Sequence, residues 1–120
     1  MVVFALYKVA HILGMVLVFM ALGGALALTR LGADRTRARK WLAMTHGVGV
    51  LLLLVAGFGM LARLGVHWPF PGWVWGKVVL WLVTGALLTF ALRHAQWARL
   101  LWWTGPLVGV LAAYLAIAKP

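Results

Sequence analysis

The sequence predicts an all-α fold: a four-helix transmembrane bundle in which neighbouring helices are antiparallel. Of its 120 residues, 66% are apolar and only 10% are charged. A soluble domain of this size needs a charged surface, because exposing apolar groups to water is costly. Four long apolar runs separated by short connections complete the pattern. The length suits one domain, which we take as residues 1–120.

Each apolar run is long enough to cross a bilayer. The runs cover roughly residues 2–28, 41–62, 74–92 and 100–118. About 20 residues, rising about 1.5 Å each, span a hydrocarbon core of about 30 Å. Because lipid offers no partner for backbone polar groups, each run is expected to be helical. The first run carries Lys8 and His11 and follows no basic segment, which predicts a retained helix rather than a signal peptide.

The connections predict how the helices are oriented. Short connections favour antiparallel neighbours, as in an up-down bundle. The loops 29–40 and 93–99 fall on the same side and carry most of the basic residues, namely Arg30, Arg35, Arg37, Arg39, Lys40, Arg93 and Arg99. The positive-inside rule places both loops in the cytoplasm and both termini outside. We expect the location to be a bacterial cytoplasmic membrane.

Charge and missing residue types exclude several classes of function. The formal net charge is +10, and Asp34 is the only acidic residue. The basic residues lie between apolar runs, so we expect them to meet anionic lipid headgroups rather than nucleic acid. The absence of cysteine excludes disulfides, thiol catalysis and thiolate metal sites. The sequence has no HExxH, Ser-His-Asp set or phosphate loop, so no catalytic residue is assigned and no metal site is predicted.

Polar side chains inside the runs are the candidate functional residues, since such groups are costly in lipid and usually face the interior or a cavity. His11, Lys77 and Tyr114 lie about 13, 5 and 6 Å from the outer ends of their runs at 1.5 Å per residue. A lysine stem spans several ångströms, so the three could converge on one cofactor. Two alternatives stay open. Lys77 could snorkel to the headgroups, and His11 could bond a neighbouring backbone or Tyr114.

Four further polar residues lie within the runs: Thr45, His46, Trp81 and Thr84. His46 is about five residues from the cytoplasmic end of its run, in the leaflet opposite His11. The expected separation in depth is on the order of 10 Å, which disfavours one haem held by both histidines. No carboxylate lies within the runs, so an Asp/Glu proton relay cannot be built from this chain alone.

Pairs of small residues four apart predict close helix packing. The pairs are Gly105 with Gly109, Gly72 with Gly76, and Ala43 with Gly47. Packing within the bundle is the simpler interpretation. The alternative is that these Gly/Ala faces meet other membrane subunits or a second copy of the chain.

Three stretches resemble a known group of membrane proteins. YKVAHILGMVL (7–17) is similar to the first helix of the HemJ-type protoporphyrinogen oxidases and the SirB-like and CopD-like proteins. PGWVWGKVVLWLVTGALL (71–88) resembles their third helix, and THGVGVLLLLVAGFGMLARLG (45–65) the SirB-like second helix. Tyr114 matches a tyrosine near the end of the SirB-like fourth helix. The resemblance implies b-type haem and makes His11 and Lys77 the functional pair. His46 stands where the HemJ pattern usually has a proline-containing turn.

Three functions remain open at this point, and enzyme activity is undecided. The first is a membrane redox protein that binds haem b or a porphyrin near the outer leaflet through His11, Lys77 and Tyr114. The second is a non-catalytic subunit that packs onto a larger redox or transport complex. The third is a binder or carrier of a quinone, a lipid or a metal ion.

Overall fold

A computed structural model of the chain describes residues 2–34 and 36–118, so Arg35 of the first basic loop lies outside the described residues. Four α-helices account for most of them: α1 Val2–Arg30, α2 Arg39–Arg63, α3 Gly72–Arg93 and α4 Ala98–Ala118, with a 3-10 turn at Ala95–Trp97 before α4. Over these residues no strand forms, and four helices are long and apolar enough to cross a membrane. The predicted all-α four-helix fold is confirmed, and it is compatible with a small integral membrane protein.

The helices extend about two residues beyond the predicted limits at their charged ends. Arg30, Arg39, Arg63 and Arg93 all lie inside helices rather than in the connections. The prediction ended each helix at the first charge, but arginine is a good helix former. Its apolar stem can also lie along the helix while the guanidinium reaches the headgroups.

Two glycines end α1 and α2. Gly32 and Gly65 have φ of 68° and 75°, in the left-handed region where only glycine is free of steric cost. After α2, the Val66 N–H donates to Leu61 and the Gly65 N–H to Ala62. The corresponding bonds follow α1, so both helices end in a Schellman motif that satisfies their last carbonyls.

Helices α1 and α2 touch through their backbones. A Cβ atom added to Gly49 would lie 2.7 Å from the Gly14 carbonyl oxygen, and one added to Gly14 would lie 2.8 Å from that of Gly49. Farther along, the ring of Tyr7 fills the space beside Gly59. These contacts run in opposite order along the two helices, which is the pattern of antiparallel neighbours. Neither the Gly14–Gly49 contact nor the Tyr7–Gly59 contact was among the spacings that the sequence singled out.

The predicted small-residue pairs differ in what they face. Gly105 and Gly109 pack against α1, where added Cβ atoms would lie 3.2 Å from Leu22 and 3.0 Å from Phe19. Those two glycines therefore join α4 to α1 within the bundle. In α2, Gly47 faces open space.

The bundle is packed more tightly at one end than at the other. We call the end that bears loops 29–40 and 93–99 the basic end. An apolar cluster fills that end and comprises Leu22, Leu26, Leu87, Ala91, Ala98 and Leu101. In the opposite half, the buried residues of the described chain are Gly14, Ala56 and Val74. Helix α4 contributes no buried residue beyond Gly105, and Pro106 follows inside the helix.

The connection between α2 and α3 forms an aromatic cluster at the opposite end. The ring of Phe70 lies 5.8 Å from those of Phe58 and Trp68 and 6.1 Å from that of Trp75, between ring centroids. The tilted and edge-to-face arrangements are those that aromatic rings prefer. The loop is therefore packed onto the adjoining ends of both helices.

We expect Gly49→Ala to destabilise the bundle by about 1–3 kcal/mol, because the added methyl group overlaps the α1 backbone. The change in the free energy of unfolding can be measured in mixed micelles. Gly47→Ala is the matched control, since the same change in the same helix meets open space. Equal losses of stability in the two variants would contradict the backbone contact.

Candidate functional site

The side chain of His11 projects from α1 onto α2. Its Nδ1 lies 3.2 Å from the Leu53 carbonyl oxygen. That oxygen only accepts hydrogen bonds, so Nδ1 carries the proton and the lone pair of a neutral ring is on Nε2. Gly57 makes room for the ring, since a Cβ there would lie 3.5 Å from His11 Cε1. His11 is thus hydrogen-bonded to a neighbouring backbone, which is one of the two partners that the sequence analysis left open.

Lys77 lies close enough to His11 for the two side chains to interact electrostatically. The lysine is partly buried in α3. The only acidic side chain of the sequence, Asp34, is in the loop at the basic end. The Lys77 amine therefore has no carboxylate beside it, and it lies near a histidine whose Nδ1 is engaged by the Leu53 carbonyl.

A hydrogen bond between α2 and α3 sets the relative depth of His11 and Lys77. Trp81 Nε1 donates to the Val50 carbonyl oxygen at 2.9 Å. Lys77 lies one helical turn before Trp81 in α3, and Leu53, the partner of His11, lies about one turn after Val50 in α2. Both steps lead away from the basic end. The two functional candidates therefore lie at nearly the same depth, closer than the depths of about 13 and 5 Å that the residue counts along each run gave.

Tyr114 does not join His11 and Lys77. It lies at the right depth, because a Cβ on Gly76 would be 3.0 Å from its neighbour Leu115. Its side chain is 58% exposed, however, and lies on the outward surface of α4. Depth follows from residue count, whereas direction depends on helix rotation, and α4 is apolar all round. The structure brings together two of the three predicted cofactor-binding residues.

His46 forms a second polar position, nearer the basic end. Its side chain is 4% exposed and lies beside the backbone of Thr84. Across residues 2–34 and 36–118, nothing hydrogen-bonds to its Nε2. It lies seven residues along α2 from Leu53, about 10 Å in depth from His11. The two histidines are therefore too far apart in depth to ligate one haem, as the sequence suggested.

The remaining polar candidates have structural roles. The Thr84 hydroxyl donates to the Leu80 carbonyl oxygen one turn earlier, at 2.8 Å. Trp81 joins α3 to α2 through its indole N–H. Thr45 is partly buried next to His46. The sequence marked these residues as polar but gave no signal that the His46 Nε2 would be unpaired.

No protein-family model, no curated protein and no solved structure matches the chain, so no residue role can be transferred from a relative. Nor do the described residues bring three His, Cys, Asp or Glu side chains together as a metal site. Function is therefore inferred from the positions of His11, Lys77 and His46.

We expect His46→Leu to raise the free energy of unfolding of the ligand-free protein by about 1 kcal/mol, because a buried polar atom without a partner costs about 1–3 kcal/mol. Unfolding in mixed micelles measures the change. His67→Leu, in the exposed loop after α2, is the control and is expected to change little. A clear loss of stability in His46→Leu would indicate instead that a water or ligand pairs with Nε2.

Proposed function

We propose that this protein binds a haem- or porphyrin-type ring in the half of the bundle opposite the basic end, where His11 would hold the metal through Nε2. The supporting observation is the bond from His11 Nδ1 to the Leu53 carbonyl. Metal-ligating histidines usually donate their other ring N–H to a backbone carbonyl or carboxylate, which fixes the tautomer and the ring orientation. Lys77 would supply either a neutral amine as a second ligand to the metal or an ammonium group that offsets a carboxylate of the ring.

The packing of the bundle limits where such a ligand would lie relative to His11. Helices α1 and α2 are in backbone contact at Gly14 and Gly49, which leaves no room for a planar ring between them there. The loosely packed side is towards α4, which contributes no buried residue after Gly105. A bound haem supplies one-electron redox chemistry. The chain's own contribution is to fix the ligating nitrogen and to hold a positive charge beside it.

The resemblance to SirB-like and HemJ-type proteins supports the same pair of residues. It also supports a bacterial cytoplasmic membrane as the location. The basic residues of loops 29–40 and 93–99 support a cytoplasmic position for both loops, with both termini outside. Tyr114, on the outward surface, has no part in the ligand contacts we propose.

The outward surface of α4 favours a second candidate function, a non-catalytic subunit of a larger membrane complex. Large apolar side chains cover this surface and are more than half exposed: Leu107, Val110, Leu111 and Ile117. Tyr114 adds a hydroxyl that another helix can hydrogen-bond. In this role α4 packs onto another subunit, and co-purification of a partner in mild detergent tests it. Extraction of the chain from its native membrane without any co-purifying partner would contradict this subunit role.

We expect the protein purified in detergent from haem-supplied cells to show a Soret absorption band that His11→Ala abolishes. The reason is that His11 presents the only imidazole nitrogen at the depth of Lys77. His46→Ala and His67→Ala are the matched histidine controls and should retain the band. A colourless wild-type protein, or a Soret band unchanged in His11→Ala, would contradict the haem proposal.

The orientation can be tested with single cysteines, because the chain has none of its own. We expect a cysteine at Thr36 to resist a membrane-impermeant maleimide in intact cells and a cysteine at His67 to react. Both positions are exposed, in the connections at opposite ends of the bundle. Labelling of Thr36→Cys alone would reverse the orientation.

A further inference from the structure

A half-open groove of about 430 Å³ lies at the basic end, between the end of α1 and the start of α4. It is lined by Ala27, Arg30, Leu31, Arg99, Trp102 and Trp103, and its surface is almost wholly apolar between the two arginines. Its volume is in the range of about 300–1,000 Å³ typical of small-molecule sites. The groove is at the end of the bundle away from His11 and Lys77, so it does not depend on the haem proposal.

The two arginines that line the groove, Arg30 and Arg99, have no acidic side chain beside them in the groove lining. Arg30 is in the last turn of α1 and Arg99 is the second residue of α4, so two helices each place a cation on one groove. Asp34 is the only acidic side chain, and it lines a separate groove beside Arg39. Hydrogen bonds from the hydroxyl and N–H of Thr36 lower the pKa of Asp34 and engage its carboxylate locally.

The surface of the groove is apolar, and the two arginines that line it, Arg30 and Arg99, are exposed. Guanidinium groups recognise phosphate oxygens with paired hydrogen bonds. Trp102 and Trp103 are 46% and 70% exposed, and tryptophan is enriched at headgroup level in membrane proteins. Ala27 and Leu31 supply an apolar surface beside them. Basic pockets between transmembrane helices are suited to anionic lipid headgroups.

We propose that this groove binds one anionic phospholipid, with its phosphate between Arg30 and Arg99 and an acyl chain along Ala27, Leu31 and Trp102. Free phosphate would satisfy the arginines but leave the apolar surface uncovered. A phospholipid satisfies both, and the bilayer presents it at this depth. The basic loops as a whole attract anionic lipids diffusely, whereas this groove defines a single site with its own stoichiometry.

Native mass spectrometry of delipidated protein tests this proposal, by titration with phosphatidylglycerol and phosphatidylcholine of the same acyl chains. We expect the first phosphatidylglycerol to bind at least about tenfold more tightly than phosphatidylcholine, given about fivefold per basic residue near a headgroup. The double variant R30Q/R99Q should lose that preference. The control R37Q/R93Q removes the same charge from the same end but outside the groove, and should keep it.

Two further arms separate a lipid site from its alternatives. Ala27→Trp fills the apolar part of the groove without changing charge and should weaken binding of both lipids. Inorganic phosphate, compared with chloride at equal ionic strength, should not displace the lipid. Circular dichroism and thermal unfolding check that each variant is folded, and R30K/R99K, which keeps both charges, should retain most of the preference if R30Q/R99Q does not fold.

Three results would overturn the proposal. Equal losses in R30Q/R99Q and R37Q/R93Q would mean diffuse attraction to surface charge. No preference in the wild-type protein would mean that the groove does not select anionic lipid. Displacement by inorganic phosphate, or full binding by Ala27→Trp, would mean that the apolar surface contributes nothing.

Discussion

The backbone contact between α1 and α2 at Gly14 and Gly49 is the constraint on which the rest of the arrangement depends. In lipid the hydrophobic effect does not drive helices together, so close packing and a few interhelical hydrogen bonds hold the bundle. With no side chain at either glycine, the two backbones meet and the register is fixed. That register sets His11 against the Leu53 carbonyl. The absence of side chains at Gly14 and Gly49, about one helical turn from His11 and Leu53, thus determines the orientation of the imidazole. That orientation leaves Nε2 as the nitrogen available to a ligand.

Hydropathy was enough to predict that the chain forms four helices. It did not predict the rotation of each helix about its own axis, which decides the side chains that face a neighbour. Each long apolar run must be helical in lipid, and a fixed rise per residue gives an approximate depth for each side chain. The counts put His11 and Lys77 about 13 and 5 Å from the outer ends, whereas the Trp81 and His11 hydrogen bonds to α2 bring the two residues nearly level. Nothing in an apolar helix indicates which side meets a neighbour. Tyr114 therefore had the expected depth and an unexpected direction, while Leu115 faces α3. The Gly14–Gly49 contact was missed for a related reason. The sequence was searched for two small residues four apart on one helix, whereas this contact joins one glycine of α1 to one glycine of α2.

The two halves of the bundle differ in how closely they are packed. Leucine and alanine side chains fill the basic end, where α1, α3 and α4 meet. The other half holds His11 and Lys77 among few buried neighbours. Regions with few buried contacts open most readily, and binding sites are commonly drawn from them. His46 is the exception, a polar group within the well-packed part, and its unpaired nitrogen could not be read from residue type alone.

Pro106 gives α4 a mechanical property that its neighbours lack. It follows Gly105, the last buried residue of the helix, and a proline inside a helix removes one backbone hydrogen bond and allows a bend. On either side of the proline α4 packs on its neighbours, through Gly105 against Leu22 before it and through Gly109 against Phe19 after it. The bend that Pro106 allows therefore sets the angle at which the second half of α4 brings Gly109 onto α1 and Leu115 onto α3.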